Sequence, residues 1–381
     1  MISVGIRGVG LQCALGTDAE ACVTALLAAP RPPSTLSLEA GGESLELSYH
    51  RIADGAELFD AGRFERLLSA VVRDAVAQAQ LSAAEIRSLP VYIGSSCFSI
   101  GQAETEYAAT LARDPTAAFP MPQCGYDWLT GLVQRELDCH GESFTYNTAC
   151  TSSANALMGA HSALRAGRHR HALVVGAELA NRTTLSGFSG LQLLARQARP
   201  FAAEREGIVL GEGIGAVILS TDTAESAVLL RDGANNCDTF SVTTADPSGV
   251  SVATVLRAAL DRAGIGPGEV RGIKAHGTAS PSGDLSEAAG LKRAFDSLPP
   301  LSVLKPRIGH TLGACGVNEL VLYAGALARG HLPAVPGLAK ADPELGVDPL
   351  TQIQPAPAGY YLLNHFGFGG NNTVLVLEKP A

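Results

Sequence analysis

Apolar residues along this chain gather in short dense runs, and the stretches between the runs repeat at helical spacing. The runs Val91-Tyr92-Ile93, Ala172-Leu173-Val174-Val175, Ala216-Val217-Ile218-Leu219, Ile273-Lys274-Ala275 and Val374-Leu375-Val376-Leu377 predict buried strands. Apolar periodicity and capping residues predict helices over 63–79, 152–166, 250–263, 285–295 and 317–328. Strands alternating with helices predict an α/β fold with layered sheets. Segments 30–34 and 333–357, rich in Pro and Gly, predict loops. Residues 211–219 resemble residues 367–375, each a glycine-rich turn feeding an apolar strand. This weak repeat predicts two pseudo-symmetric halves with a site between them. The polar stretch 223–226 is the expected seam, giving halves 1–222 and 223–381.

Composition narrows the class. At 381 residues the chain is long enough for two domains or for one large fold of two similar halves. Hydrophobic residues make up 46% and charged ones 17%, with 42 glycines, as expected of a large α/β protein with buried central strands. The formal net charge of -9 argues against a nucleic-acid partner. Cys13, Cys22, Cys97, Cys124, Cys139, Cys150, Cys237 and Cys315 are scattered with no CxxC pair, and read as reduced thiols of a cytosolic protein. The start MISVGIRGVGLQCALG lacks a basic leader region and reads as a strand entering a loop. No apolar run is long enough to span a bilayer. The expectation is a cytoplasmic protein with no membrane partner.

Four segments carry candidate chemistry. In Asn147-Thr148-Ala149-Cys150-Thr151-Ser152-Ser153-Ala154, a polar turn opens onto a helix whose apolar stripe is Ala154, Leu157, Met158, His161 and Leu164. Cys150 then lies at or just before a helix N-terminus, where free N–H groups and the dipole favour a thiolate. A buried inert cysteine is the bland alternative. His276 follows a strand and precedes Gly277-Thr278-Ala279-Ser280 and a helix bearing Glu287. His310 sits on a glycine turn after Lys305, with Cys315 and Glu319 beyond it. The glycine-rich turn Gly367-Phe368-Gly369-Gly370 is able to bring backbone N–H groups close to a ligand. Singly, each histidine reads as a packed or solvated residue and the turn as a turn. The spacing of Cys and His matches no zinc pattern, so no metal is expected.

Together these segments resemble the β-ketoacyl synthases, condensing enzymes of the thiolase fold. Cys150, His276 and His310 stand in that family's Cys-His-His order, Lys305 and Glu319 flank the second histidine, and GFGGxN closes the chain. Arg199-Pro200-Phe201 with Arg205-Glu206-Gly207 adds a further match. Departures are Asn147 and Ala202 where many members carry aspartate, Ala279-Ser280 for Gly-Thr, and Pro306-Arg307. They point to a branch outside core fatty-acid synthesis.

The resemblance implies a five-layered αβαβα fold and a type II decarboxylative condensation. An acyl group is held as a thioester on Cys150, and malonyl-acyl carrier protein attacks it after losing carbon dioxide. The product is a β-ketoacyl-acyl carrier protein of polyketide, polyene or specialised fatty-acid synthesis. Neutral His276 and His310 donate to the developing enolate, and Lys305 and Glu319 fix His310 and the local charge. The backbone N–H groups of Cys150 and Phe368 form the oxyanion hole. Phe368, with Gly367, Gly369 and Gly370, gates the acyl pocket, whose length Cys97 and Phe98 limit. No cofactor is expected beyond the phosphopantetheine that carries the substrates. The expected partners are acyl carrier protein and, as a homodimer or heterodimer, a related subunit. Arg63 and Arg66 at i, i+3 spacing, with Arg165 and Arg168 as a second cluster, are the expected carrier-docking cations. A thiolase needs a second cysteine where Phe368 stands, and a starter synthase needs asparagine for one histidine. The alternative from another class is a non-catalytic chain-length subunit of a heterodimer.

Overall fold

The computed structural model describes residues 2–40, 43–60, 62–118, 125–335, 338 and 340–381. The chain opens with β1 (Val4–Cys13), α1 (Ala19–Leu26) and an antiparallel pair, β2 (Ser34–Ala40) and β3 (Glu43–His50). The first half continues through α2 (Arg63–Ala79), α3 (Ala83–Arg87), β4 (Val91–Gly94), α4 (Ile100–Leu111), α5 (Trp128–Leu137) and β5 (Ser143–Tyr146). It closes with α6 (Ser152–Arg165), β6 (His171–Glu178), α7 (Arg182–Gly190), β7 (Leu210–Gly211) and β8 (Gly213–Ser220). The second half runs through β9 (Leu229–Cys237), α8 (Val250–Ala263), β10 (Val270–Lys274), α9 (Pro281–Ala294), β11 (Leu301–Ser302) and α10 (Lys305–Ile308). Then follow α11 (Cys315–Ala328), β12 (His331–Leu332), β13 (Gln354–Pro355), β14 (Gly359–Phe366) and β15 (Asn371–Lys379).

The main sheet has the order β11-β10-β14-β15-β9-β1-β8-β6-β4-β5. Read outward from its middle, the two arms repeat each other. In each, the first two pairings are antiparallel and the outer two parallel, β1-β8-β6-β4-β5 matching β9-β15-β14-β10-β11. The arms join where β1 meets β9 through Val4↔Leu230 and Gly5↔Leu229. The predicted pseudo-symmetry is therefore present in the pairing directions themselves.

Alternation along the strands explains the layers. In β6, Ala172 and Val174 face a central core, whereas Leu173, Val175 and Ala177 face an outer one with α2 and α5. In the other arm, Leu363, Leu375 and Leu377 face the centre, while Leu362, Val374 and Val376 face α8 and α9. The centre holds α6 and α11. Both faces of each arm are thus covered by helices, giving helix, sheet, helices, sheet, helix. At Gly316 the central helices come so close that a Cβ would lie 2.1 Å from the backbone N of Ala154.

The structure extends two predicted helices at their N-termini. Ser280 caps α9 from its side chain to Gly283 N, so that helix starts at Pro281, and α11 starts at Cys315. The pair β2–β3 escaped prediction because its polar alternation, SxLxLxA, leaves no dense apolar run. Loop 333–357 is interrupted by β13, and its residues 336, 337 and 339 lie outside the described residues.

Candidate active site

The elbow before α6 is built from its own hydroxyls. Thr148 N donates to Ser152 Oγ at 3.0 Å, Ser152 Oγ to Ala149 O at 2.6 Å, and Thr151 Oγ1 to Thr148 O at 2.7 Å. These bonds hold Ala149 at φ 52, in the left-handed region, and turn Cys150 into the interior, where it is 7% exposed. Burial pushes its thiol up to about 11, against N–H donation from Phe368 and the field of Lys305. The expectation of a resting thiolate is thus corrected. The elbow sits just before the helix start, as expected, but desolvation outweighs the groups that favour the anion, so the thiol is the favoured form. The backbone N–H groups of Phe368 and of Cys150 itself act in the opposite sense, favouring the sulfur's anion.

His276 lies beyond the end of β10. Glu287 of α9 accepts from His276 N and Gly277 N, both at 2.8 Å, and from Asn364 Nδ2 at 3.0 Å. His310 lies beyond α10, with His310 N donating to Val209 O at 2.8 Å. The rings meet edge to face at 5.5 Å and 87°. Burial first, and then the charge of Lys305, lowers both imidazoles well below 6.5, so both are neutral at neutral pH.

Lys305 and Glu319 are present, but their contacts correct the expected assignment. Lys305 Nζ donates to His276 O at 2.6 Å and to Glu319 Oε1 at 2.8 Å, and lies 3.4 Å from His276 Nδ1. Lys305 therefore braces His276, not His310. Burial opposes its ammonium, yet Glu319 outweighs burial and holds its pKa above the usual lysine value. Glu319 is also bonded to Lys274, which burial lowers and which donates to Asn364 O at 2.6 Å.

Lys274 and Glu178 were given no role from sequence, and Glu287 was named in the His276 segment without one. Glu178, buried at the end of β6, accepts from Ser95 Oγ at 3.0 Å, Ser96 N at 2.9 Å, Cys97 N at 2.9 Å and Gly313 N at 2.8 Å. It ties the loop after β4 to the turn after His310. For Lys274 and Glu178 the available signal was a charged residue inside or ending an apolar strand run, which demands buried partners; Glu287, on α9, gave no such signal.

A single cavity is lined by Cys150, His276, His310, Phe366, Gly367 and Phe368, with Phe188 and Ile208 on its walls. Phe368 stacks on Phe188 at 5.9 Å and 9°. Its turn is pinned by Gly369 N donating to Val242 O and Gly367 N to Asn371 O, both at 2.7 Å. Gly369 and Gly370 each have φ 74, and a Cβ on Gly370 would lie 1.7 Å from Asp238 O, so glycine is required there. Ser241, Thr243, Thr244, Thr278, Ser280 and Ser282 also line the cavity.

Other expected residues fall elsewhere. Cys97 and Phe98 line a separate cavity with Phe64, Gln102, Trp128 and Leu179. Glu178 draws their backbone that way, although Cys97 still packs in a cluster with Ile208. Arg63 is not a surface cation. It is 1% exposed, with Nε donating to Asp54 at 2.8 Å and its other nitrogens to Glu212. Arg66 is exposed and pairs with Asp60 at 2.5 Å. Arg165 is bonded to Asp232, and Arg168 is exposed. Both lie at the far end of α6 from Cys150, about 20 Å along its axis at 1.5 Å per residue.

Among the described residues no group of three or more His, Cys, Asp or Glu is placed to hold a metal, and no helix is long and apolar enough to cross a membrane. The described cysteines are unpaired, and Cys124 lies outside them.

Residues 51–225 match the family model for the β-ketoacyl synthase N-terminal domain, and residues 226–339 the model for its C-terminal domain. The chain belongs to the β-ketoacyl synthase family, the acyl-transferring condensing enzymes. A 3-oxoacyl-[acyl-carrier-protein] synthase 2 from Staphylococcus aureus is 29% identical over 360 residues, covering 88% of this chain and 86% of that one. Among solved structures, a chain of the ketosynthase ApeO in complex with its chain length factor ApeC from Xenorhabdus doucetiae superposes with a TM-score of 0.88. Identity there is 26%, over 99% of this chain and 98% of that chain. The ishigamide ketosynthase/chain length factor gives a TM-score of 0.87 at 25% identity, over 100% and 99%.

Proposed function

We propose that this protein condenses an acyl thioester carried on Cys150 with malonyl-acyl carrier protein, releasing carbon dioxide and a β-ketoacyl-acyl carrier protein. The observation that carries this reading is the convergence of Cys150, His276 and His310 on one cavity. The thiol attacks the carrier's thioester carbonyl, and the N–H groups of Cys150 and Phe368 receive the oxyanion. Collapse expels the carrier thiol, which takes up the proton given up by Cys150. The malonyl thioester then loses carbon dioxide, and Nε2–H groups of neutral His276 and His310 donate to its carbonyl as enolate character builds. The new carbanion attacks the acyl carbonyl, a carbon–carbon bond forms, and the Cys150 sulfur leaves. Lys305 and Glu319 hold His276 and the charge balance around it.

The hydroxyl-rich lining from Ser241 to Thr244 and from Thr278 to Ser282 suits the amides of a phosphopantetheine arm. Phe368 gates the acyl site by moving off Phe188, with Gly367, Gly369 and Gly370 as its hinges. Cys97 shares an apolar cluster with Ile208 of the cavity wall, which supports Cys97 as the far limit of the acyl chain, whereas Phe98 packs in a different cluster. Arg66 and Arg168, the exposed members of the predicted set, are the proposed docking cations. The seam between halves is placed at 222/223, ahead of β9. A related ketosynthase-like subunit is the proposed partner, as in the complexes that the fold matches, with the open edge of β5 as contact.

The test is to incubate the protein with acyl- and malonyl-acyl carrier protein. Mass spectrometry of Cys150 then reads the thioester, and product analysis reads the β-ketoacyl carrier. Substituting His276→Ala or His310→Ala should impair decarboxylation more than acylation of Cys150. A folded wild-type protein that never acquires an acyl group would instead support the non-catalytic chain-length subunit.

A further inference from the structure

Cys315 opens α11 and has no role in the chemistry above. Its sulfur lies 3.1 Å from Nδ1 of His310, and the same nitrogen receives the backbone N–H of Leu312 at 3.3 Å. A backbone N–H only donates, so Nδ1 is an acceptor and the ring proton sits on Nε2. The Cys315 contact is then an S–H donating to nitrogen. Behind it, Thr311 Oγ1 donates to Cys315 Sγ at 3.5 Å, and Asn318 Nδ2 donates to Thr311 Oγ1 at 3.2 Å. Asn318, Thr311 and Cys315 are 0% exposed and His310 1%, so solvent does not compete for these bonds.

We infer that Cys315 is a positioning residue for His310. With Thr311 and Asn318 it forms a one-way donor relay that keeps the imidazole in its Nε2–H tautomer and fixes the ring edge to face against His276. The inference rests on the proposed role of His310 as donor to the enolate. Burial pushes the Cys315 thiol up to about 12, so the S–H is retained at working pH. An apolar residue at this position would leave Nδ1 with the Leu312 N–H alone of these two donors. The relay thus adds a second donor at the one nitrogen that must stay unprotonated.

The test compares Cys315→Ala, which removes the donor, with Cys315→Ser, which keeps a hydroxyl there. Malonyl-acyl carrier protein decarboxylation should fall about fivefold in Cys315→Ala, the scale of one neutral hydrogen bond. KM and the rate of Cys150 acylation should stay unchanged, and Cys315→Ser should recover most of the rate. Ring-nitrogen resonances of isotope-labelled histidine give a readout independent of turnover. His310 Nδ1 should be unprotonated in wild type and shifted in Cys315→Ala. The relay is overturned by equal decarboxylation in wild type and Cys315→Ala, by parallel loss of acylation, or by an Nδ1–H in wild type. A wild-type protein that fails to acylate Cys150 would sink the condensing reading instead, and the ring-nitrogen shifts would still decide the relay.

Discussion

At the residue scale the site is a set of ionisable groups held against their solution preferences. His276 and His310 are lowered by burial and then by the Lys305 charge, so each ring should titrate below 6.5 in a histidine NMR titration. The linkage sign follows. The unfolded chain binds the proton first, so these rings contribute stability above about 6.5 that is lost as pH falls towards their folded values. Cys150, pushed up to about 11, should alkylate with iodoacetamide at a rate still rising past the ordinary thiol value of 9.0. A plateau near neutral pH would show a resting thiolate. Lys274→Met leaves Glu319 with one cation, and breaking such a buried pair should cost about 3–5 kcal/mol in denaturant unfolding. Cys150, His276 and His310 were legible because each stands in a local motif of unusual residues. Glu178 was not, because its partners arrive from segments distant in sequence, and Glu287 was named beside His276 without its bonds to the His276 and Gly277 backbone. Lys274 left a trace, as the one charge inside the run Ile273-Lys274-Ala275. A charge in a strand that is buried needs a partner, and sequence alone does not name Glu319.

At the element scale, periodicity placed α2 and α8 at the observed bounds, since long amphipathic helices announce their buried stripe. The same periodicity misled at Arg63. Spacing of i, i+3 says that Arg63 and Arg66 are neighbours on the helix surface, not that both meet solvent. Glu212, just ahead of β8, draws the first guanidinium inward, and Asp54 completes the site. The two arginines should therefore behave differently. Arg63→Ala should lower the unfolding midpoint sharply, by several kcal/mol for a buried pair left half-made. Arg66→Glu should leave stability within about 0.5 kcal/mol and raise the apparent KM for acyl carrier protein. Equal thermal shifts in the two variants would contradict this assignment. The short strands β11, β12 and β13 and the polar pair β2–β3 lay beyond periodicity, because so few residues or so little contrast carry no period.

At the scale of the whole molecule, two arms of matching strand direction enclose α6 and α11, and the site forms where the N-terminal ends of these helices approach. The repeat of glycine turn and strand was a fair pointer to this symmetry, since it marked β8 and β15, which occupy equivalent places beside β1 and β9. The open edge of β5 is the other large-scale feature. Ser143, Phe144 and Thr145 are exposed there, and Phe144 stacks on Tyr92 at 4.9 Å. Among the described residues β5 is paired on one side alone, and such an edge invites another strand. Phe144→Glu should shift the protein towards monomer in light scattering, and unchanged mass would exclude β5 from the interface. The most direct test of the proposed chemistry is intact-protein mass spectrometry after exposure to acyl-acyl carrier protein, read in wild type, His310→Ala and Cys150→Ala. The expected result is one acyl adduct on Cys150 in the first two and none in the third, with decarboxylation lost in His310→Ala. A folded wild-type protein without an adduct, or an adduct that survives Cys150→Ala, would contradict it.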